Sequence, residues 1–412
     1  MNFQDLDLNL FDYDLPQELI AEYPLEHRDE SRLLTIDVSN NTIRDQSFSN
    51  IVDLLHEKSL LILNNTKVIA ARIPITKNTG GQAEILCVNP VLPSSDPQLA
   101  LASKQECVWE CIIGGRNIRR GYCFNLKIDE NLELTATVLE KNNENSLVKF
   151  SWNSDIVSFA DILLKIGRIP LPPYIHRQSS DIDIDRYQTI YAKSDGSVAA
   201  PTAGLHFTDK IFNKLSEKGI QFAHLSLHVG PGTFKPISSG SILDHEMHSE
   251  QFFVNIETLK QIASALKNEQ NIIATGTTSV RTLESLYWLG VKLINHDKID
   301  FENILMDQWE PYSNDQRKVD VTASDAIFEI INFCEKQSLL FINGKTKLMI
   351  VPSYKFKMID ALISNFHLPK STLILLVSAL TGYYLWKEAY LEAVIKQYRF
   401  LSYGDSSFIY NF

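Results

Sequence analysis

A change of texture near Arg72 limits the folds open to this chain. Up to that point the sequence reads as loop, helix and one apolar strand, Leu60 to Leu63, which ends in Asn64-Asn65-Thr66. From Arg72 to about Trp152 the signals are short alternating strands and glycine turns. Ala83, Ile85 and Cys87 alternate, as do Trp109, Cys111 and Ile113, then Leu132, Leu134, Ala136 and Val138, then Val148, Phe150 and Trp152. Such regular short strands predict a small antiparallel barrel or sandwich. Residues 91–106 (VLPSSDPQLALASKQE) read as a surface loop within it. Beyond about residue 155, helical stripes such as Ile256, Leu259, Ile262, Ala263 and Leu266 alternate with strands. The expected fold is an α/β large discontinuous domain, residues 1–70 and 153–412, with an inserted small antiparallel β-barrel domain, residues 71–152.

Several strands of the larger part run into polar turns. Ile272 to Thr275 leads to Gly276-Thr277-Thr278-Ser279 and a helix from Val280, with Arg281 nearby. The free N–H groups of such a helix start suit a carboxylate or phosphate. The plain alternative is that Thr278 or Ser279 only caps the helix. In the strand ending at Gly230-Pro231-Gly232-Thr233, Ala223, Leu225, Leu227 and Val229 share one face, and His224, Ser226 and His228 the other. His228 therefore stands near the carboxyl end, where open α/β sheets bind ligands.

Five of the ten histidines, His206, His224, His228, His245 and His248, fall within 43 residues, and His367 sits in Asn365-Phe366-His367-Leu368-Pro369-Lys370. Histidines at strand ends suit proton transfer or metal binding. His245, His248 and Glu250 favour a metal, but the pair lacks the H-E-x-x-H spacing and no cysteine is near, so none is expected. Arg28 and Arg32, four apart on a short turn, either clamp an anion or pair with Asp29 and Glu30 on a solvated face.

The net charge of −11 excludes a generally basic nucleic-acid coat, so any RNA must meet local cations. Arg116, Arg119 and Arg120 form the densest cluster. Lys165, Arg168 and Arg177 flank Leu171-Pro172-Pro173-Tyr174 as a second, where Tyr174 or Tyr187 could stack on an unpaired base. Each cluster alone reads as well as an ordinary solvated turn. Five scattered cysteines make no disulfide framework, and the N-terminus has no basic residue before its apolar positions. The longest apolar run, the fourteen residues Leu373 to Trp386, is too short to span a bilayer and predicts a buried core helix. A cytoplasmic protein with no membrane contact is expected.

Taken together, nine segments resemble one family, the S-adenosylmethionine:tRNA ribosyltransferase-isomerases of queuosine biosynthesis. They are FDYDLPQELIAEYPLEHRDESRLL, LNNTKVIAARI, LPPYIHR, RYQTIYAKSDGSVAAPTAGLHFT, HVGPGTFKPI, HEMHSE, GTTSVRTLES, DALISNFHLPKSTLILLVSA and YRFLSYGD, in the family's order from Phe11 to Asp405. Ala70 stands where the family usually has proline, Ser353 where it usually has glycine, and Ser364 where threonine is common.

The resemblance implies transfer and isomerisation of the ribosyl part of S-adenosylmethionine onto the 7-aminomethyl group of a 7-deazaguanine in a tRNA anticodon. The products are epoxyqueuosine-tRNA, adenine and methionine. It implies a monomer whose partners are tRNA and S-adenosylmethionine, the latter consumed as substrate, with no cofactor. The reacting ribose is expected among His206, His228, His248 and Glu250, with His245 as orienting partner and the base either His206 or His248. The matching stretches put substrate at Arg28, Ser31, Arg32, Asn65, Thr66, Arg72, Pro201, Thr202, Gly204, Gly230, Gly232, Thr233, Thr277, Thr278, Arg281, Asn365, His367 and Lys370. RNA is expected at Arg116, Arg119, Arg120, Arg168, Tyr174 and Arg177. Two other readings are a metal-dependent hydrolase using the His/Glu cluster and a non-catalytic tRNA-binding relative.

Overall fold

A strand with no polar face must be covered on both sides, and every residue of Leu60–Asn64 is buried. The computed structural model describes residues 6–77, 80–142, 145–234, 237, 241–301, 303–313 and 320–412, without the side chains of 233 and 234. In it Leu60–Asn64 lies inside a ten-stranded sheet. The order across that sheet is Leu305–Met306, Phe341–Thr346, Glu250–Asn255, Gln221–His228, Leu60–Asn64, Ile272–Thr275, Ala361–Asn365, Ser406–Tyr410, Arg32–Asp37 and Thr42–Ser47. The four central neighbours, Gln221–His228 through Ala361–Asn365, are parallel, and antiparallel strands flank them on both sides.

Helices cover both faces of this sheet. Leu60 and Ile62 pack with Leu259, Ile262, Leu283, Leu286, Ile327 and Ile330, from the helices Ile256–Lys267, Thr277–Ile294 and Ala323–Lys336. Leu61 and Leu63 point the other way, onto Phe48, Ile51, Leu55 and the Ile211 and Leu215 stripe of Asp209–Glu217. Side-chain caps start these elements: Thr208, Asn255, Thr322 and Ser371 each accept a backbone N–H of the first turn.

Between Thr66–Val68 and Ser194–Ser197, which pair with each other, the chain forms a separate six-stranded antiparallel, barrel-like sheet. Its order is Arg72–Thr76, Gln82–Leu92, Glu106–Gly114, Ser146–Trp152, Glu133–Lys141 and Cys123–Lys127. Its core, around Trp109, Phe124 and Phe150, also takes in Phe159, Ile162 and Leu163 of the following helix, Phe159–Ile166. The fold class is therefore α/β with an inserted antiparallel barrel-like unit.

Two local readings need correction. Residues 91–106 are not only a surface loop: Asp96 caps a short helix, Pro97–Leu101, that buries Ala100 and Leu101 in the six-stranded core. Asp at the cap and Pro at the first helical position supply the start signal. The run Leu373 to Trp386 is not one helix but parts of two, Thr372–Thr381 and Tyr383–Ile395, which meet at Gly382.

Ser353 has φ +99°, a conformation that only glycine adopts without steric cost. Serine at this position thus strains the backbone. The variant Ser353→Gly should be more stable by about 1 kcal/mol, the strain relieved less the extra freedom of the unfolded chain. A urea-unfolding midpoint that stays level or falls would contradict this.

Candidate active site at the carboxyl ends of the central strands

Four parallel strands end side by side, and the segments that leave three of them, at Val229, Gly276 and Phe366, help to surround a small cavity of about 70 Å³. Among the expected substrate residues, Pro201, Thr202, Thr277, Thr278, Asn365 and His367 line it, joined by Tyr174, Ser371 and Ser402. Thr277 and Thr278 are the first residues of an 18-residue helix. The first N–H groups of a helix have no partner within it and carry its positive end. Neither Thr278 nor Ser279 caps this helix: Gly276 holds the cap position without a side chain, and the Ser279 hydroxyl turns back to the Thr275 carbonyl.

His206 reaches the cavity through Asn365. Thr202 Oγ1 donates to Asn365 Oδ1 (2.7 Å), which turns the amide NH₂ toward His206 Nε2 (3.3 Å) and the Asp405 carbonyl (3.4 Å). Nε2 therefore accepts, and the ring proton sits on Nδ1. Nδ1–H meets Ser31 Oγ at 2.8 Å, and that hydroxyl donates to the Arg28 carbonyl at 3.3 Å. Burial, helped by the charges of Arg28 and Arg399, pushes His206 down to about 3. His367, bonded through Nε2 to Ser364 Oγ (2.9 Å), is pushed down by burial to about 3 as well. Both rings are neutral at physiological pH.

His228 stands on the other side of its strand from the cavity-lining Val229. Its Nδ1 lies 2.8 Å from Thr66 Oγ1, and burial lowers its pKa to about 4. Asn64 and Asn65 hold these strand ends together. Asn64 Oδ1 accepts from the N–H of Leu227 and of Thr66, both at 3.1 Å, and its Nδ2 donates to the Leu227 carbonyl (3.0 Å). Asn65 Oδ1 accepts from Ser226 Oγ (2.6 Å).

The expected ring of His206, His228, His248 and Glu250 is not drawn around one cavity. His248 is exposed and packs on Gly232, where a Cβ would come within 2.0 Å of the imidazole, so only glycine fits. Gly230 has open space around it, whereas Gly204 is packed against the Tyr191 hydroxyl; of Thr233 only the backbone is described. His245 is half-buried and its pKa is lowered, by burial first and then by His248. Gln308 fixes this segment, donating from Nε2 to the His245 carbonyl (2.6 Å) and accepting the Met247 N–H (2.9 Å). Glu250 is buried in an ion pair with Arg281, whose guanidinium also meets the carbonyls of Leu348 and Thr346. Arg281 is thus turned away from the helix start it was expected to assist, because Glu250 needs a countercharge.

The other cations divide by how they are used. Arg28 donates to three carbonyls, of Gln188, Leu205 and Asp185, at 2.8–3.2 Å. Arg32 stacks on Tyr398 and pairs with Asp45, so the two arginines form no common clamp. Arg72 pairs with Glu84, Lys370 with Asp12, and Lys165 with Asp129. Arg177 makes a two-pronged contact with Asp183 (both 2.7 Å), and Arg168 donates to Gln178 (3.0 Å). Arg116, Arg119 and Arg120 are exposed and enter no ion pair found among the described residues. Tyr187 is wholly buried against Tyr403, which removes it as a stacking platform. Tyr174 faces the cavity, its hydroxyl 2.7 Å from Ser402 Oγ.

Among the described residues no group of three or more His, Cys, Asp or Glu is placed to hold a metal ion, so the hydrolase alternative lacks a centre there. No described helix is long and apolar enough to cross a membrane. The sequence reading missed Asn64, Gln308 and Ser402. Asn64 and Ser402 lay inside the family-like segments, but Gln308 had no local signal, since the partners of its side-chain amide are 41–63 residues away.

A mixed α/β sheet whose central parallel strands end at a largely apolar cavity with a few hydroxyl and amide groups, beside a neutral histidine held between a serine and an asparagine, is the setting of an α/β-class protein with a strand-end site. The family profile described as queuosine biosynthesis protein matches residues 8–409. A Thermosipho melanesiensis protein named S-adenosylmethionine:tRNA ribosyltransferase-isomerase is 39% identical over 407 residues, covering 98% of this chain and 100% of the relative. One of the same name from Fusobacterium nucleatum is 38% identical over 405 residues, covering 98% and 97%. The crystal structure of S-adenosylmethionine tRNA ribosyltransferase from Thermotoga maritima aligns with a TM-score of 0.46 and 29% identity, over 97% of this chain and 99% of that one. The chain belongs to the queuosine biosynthesis protein family.

The depressed histidines make stability depend on pH in a known direction. In the unfolded chain each takes a proton near 6.5. Folded, His206 and His367 resist to about 3 and His228 to about 4. The stability they contribute is complete above about 6.5 and is lost as pH falls from there toward the folded values. Urea unfolding between about pH 6 and 4.5 should lose stability less steeply in His367→Asn than in the parent, by up to about 1.4 kcal/mol per pH unit. Equal slopes would mean that His367 does not stay neutral in the folded chain.

Proposed function

We propose that this chain transfers the ribosyl moiety of S-adenosylmethionine, with isomerisation, to the 7-aminomethyl group of 7-aminomethyl-7-deazaguanine in a tRNA anticodon. The products are epoxyqueuosine-tRNA, adenine and methionine. The observation that carries this reading is the near full-length match to proteins named for the reaction, with the family-like segments meeting at the strand ends. S-adenosylmethionine is a consumed substrate, and no resident metal or cofactor takes part. We assign the enzyme to the cytoplasm, as a monomer, with residues 71–152 as its inserted domain.

The chemistry asks for at least two things. A proton must leave the carbon beside the sulfonium, and a neutral imidazole with an accepting Nε2, as at His206, suits that step. Asn365 and Ser31 orient the ring and hold its tautomer. The methionine carboxylate suits the helix start at Thr277 and Thr278. His228, fixed by Thr66 on the far side of its strand from the cavity, acts by holding that strand end in place. Glu250 acts away from the cavity, by countering the buried charge of Arg281.

Incubation with S-adenosylmethionine and tRNA carrying the aminomethyl-deazaguanine should yield epoxyqueuosine by nucleoside mass analysis, with adenine released. His206→Ala should slow single turnover by roughly 10²–10⁴ with little change in binding. A methylated nucleoside, or none, would end the assignment.

Because Arg168 and Arg177 have partners within the protein and Arg116, Arg119 and Arg120 are in no ion pair found among the described residues, the latter three should carry most of the phosphate binding. Replacing all three by glutamine should weaken tRNA binding and lower the salt slope by about 0.7–0.9 for each phosphate no longer neutralised, leaving S-adenosylmethionine binding unchanged. An unaltered slope would make that turn ordinary surface.

A further inference from the structure

The partly or wholly buried arginines among the described residues divide by countercharge. Arg32, Arg72, Arg177 and Arg281 each pair with a carboxylate. Arg28, Arg186 and Arg399 enter no ion pair found among the described residues. These three are neighbours. Arg28 and Arg186 line a second cavity, of about 20 Å³, with Ser31, His206, Ser402 and Tyr403. Arg399 does not line it but holds its wall, donating to the Tyr23 carbonyl next to the lining Pro24.

Backbone carbonyls take some of the donors of this trio. Arg186 donates to those of Leu25 (2.5 Å) and Glu26 (3.1 Å), and Arg28 to the three already described. Arg186 Nε and Arg399 Nη1 stay buried without a hydrogen-bond partner among the described residues. A carbonyl satisfies an N–H but leaves the net charge of the group unbalanced. Neighbouring carboxylates are committed elsewhere: Asp405 accepts the backbone N–H of Arg32 (2.9 Å) and of Arg399 (2.8 Å), and Asp183 holds Arg177. Burial first, and then the charge of Arg186, lower the Arg28 guanidinium from its ordinary range.

We propose that this second cavity is an oxyanion subsite: one phosphate of the RNA backbone, next to the nucleotide being modified, sits against Arg28 and Arg186 beside His206. This rests on the proposed function and extends it from the base to the backbone. About 20 Å³ admits a water-sized group or two, enough for the free oxygens of a phosphodiester and too little for a sugar or base. The guanidinium fork matches such oxygens in shape and charge. Ser402 lines both this cavity and the strand-end one, and His206 faces Ser31 on this side and Asn365 on the other. Arg28 also lines a cleft of about 1440 Å³ between the inserted unit and the large domain, so a strand lying in that cleft reaches the subsite at Arg28. The methionine carboxylate has its own place, at the helix start in the other cavity.

The test uses an anticodon stem–loop carrying the aminomethyl-deazaguanine, with the linkages on either side of that nucleotide replaced one at a time by a neutral methylphosphonate. One of the two replacements should weaken binding to the parent roughly tenfold, the effect of one charged hydrogen-bonded contact. Arg186→Gln keeps donors for the carbonyls and removes the charge. It should bind the unmodified stem–loop about as weakly, lose nothing further at that linkage, and bind S-adenosylmethionine as the parent does. Arg186→Lys should recover part of the affinity. The proposal is overturned if neither linkage matters to the parent, or if the same loss persists in Arg186→Gln. It is overturned too if Arg186→Gln weakens S-adenosylmethionine binding instead, which would make the anion a carboxylate. A second measurement needs no variant: inorganic phosphate added to the parent should move the ring ¹⁵N shifts of His206, and unmoved shifts would leave no oxyanion subsite. If the parent binds no stem–loop, the proposed function fails, and the phosphate titration by itself decides whether the cavity takes an oxyanion.

Discussion

Three parallel strands buried on both faces leave their polar chemistry only one outlet, the ends. Within Leu60–Asn64 and Ile272–Thr275 every side chain is buried, and each strand ends on a polar residue, Asn64 or Thr275. Asn64 takes over at that point, bonding both to the neighbouring strand and to its own turn. Because the strands run in the same direction, the residues that leave them, Thr66, Val229, Gly276 and Asn365, emerge at one edge. The cavity, the helix start and the histidine contacts follow from that shared direction.

The histidines differ in setting more than in type. His206 and His367 lie in the buried layer, each bonded to a serine hydroxyl, while His228 sits behind the cavity-lining face of its strand. His245 and His248 belong to a surface segment tied down by Gln308. Desolvation keeps the buried rings uncharged, which makes them acceptors at neutral pH. A neutral relay with one fixed tautomer is a more specific device than a cluster of histidines around a metal.

For an acidic chain to take the RNA substrate proposed for it, some of its cations must stay uncommitted. Here Arg32, Arg72, Arg177 and Arg281 pair with carboxylates, and Arg28 donates to backbone carbonyls. The cluster at Arg116, Arg119 and Arg120 enters no ion pair among the described residues, and it lies in a turn between two strands of the inserted sheet. The inserted unit also contributes the helix Pro97–Leu101, which packs against Gly196 of the large domain.

Much of this was legible in the residues themselves. The unbroken apolar run at Leu60–Leu63 required a doubly covered strand, alternation from Ala83 to Trp152 required a second sheet, and the small-residue and histidine segments marked the strand ends. Local pattern could reach these because each depends on periodicity or on a turn within a few residues. It could not reach the pairing of Glu250 with Arg281, the burial of Tyr187, or the split of Arg28 from Arg32, because burial and countercharge come from elements far along the chain. The helix at Pro97–Leu101 shows both limits. Its start was written in Asp96-Pro97, but only tertiary packing brought it to Gly196, since nothing local specifies which distant backbone will lack a Cβ.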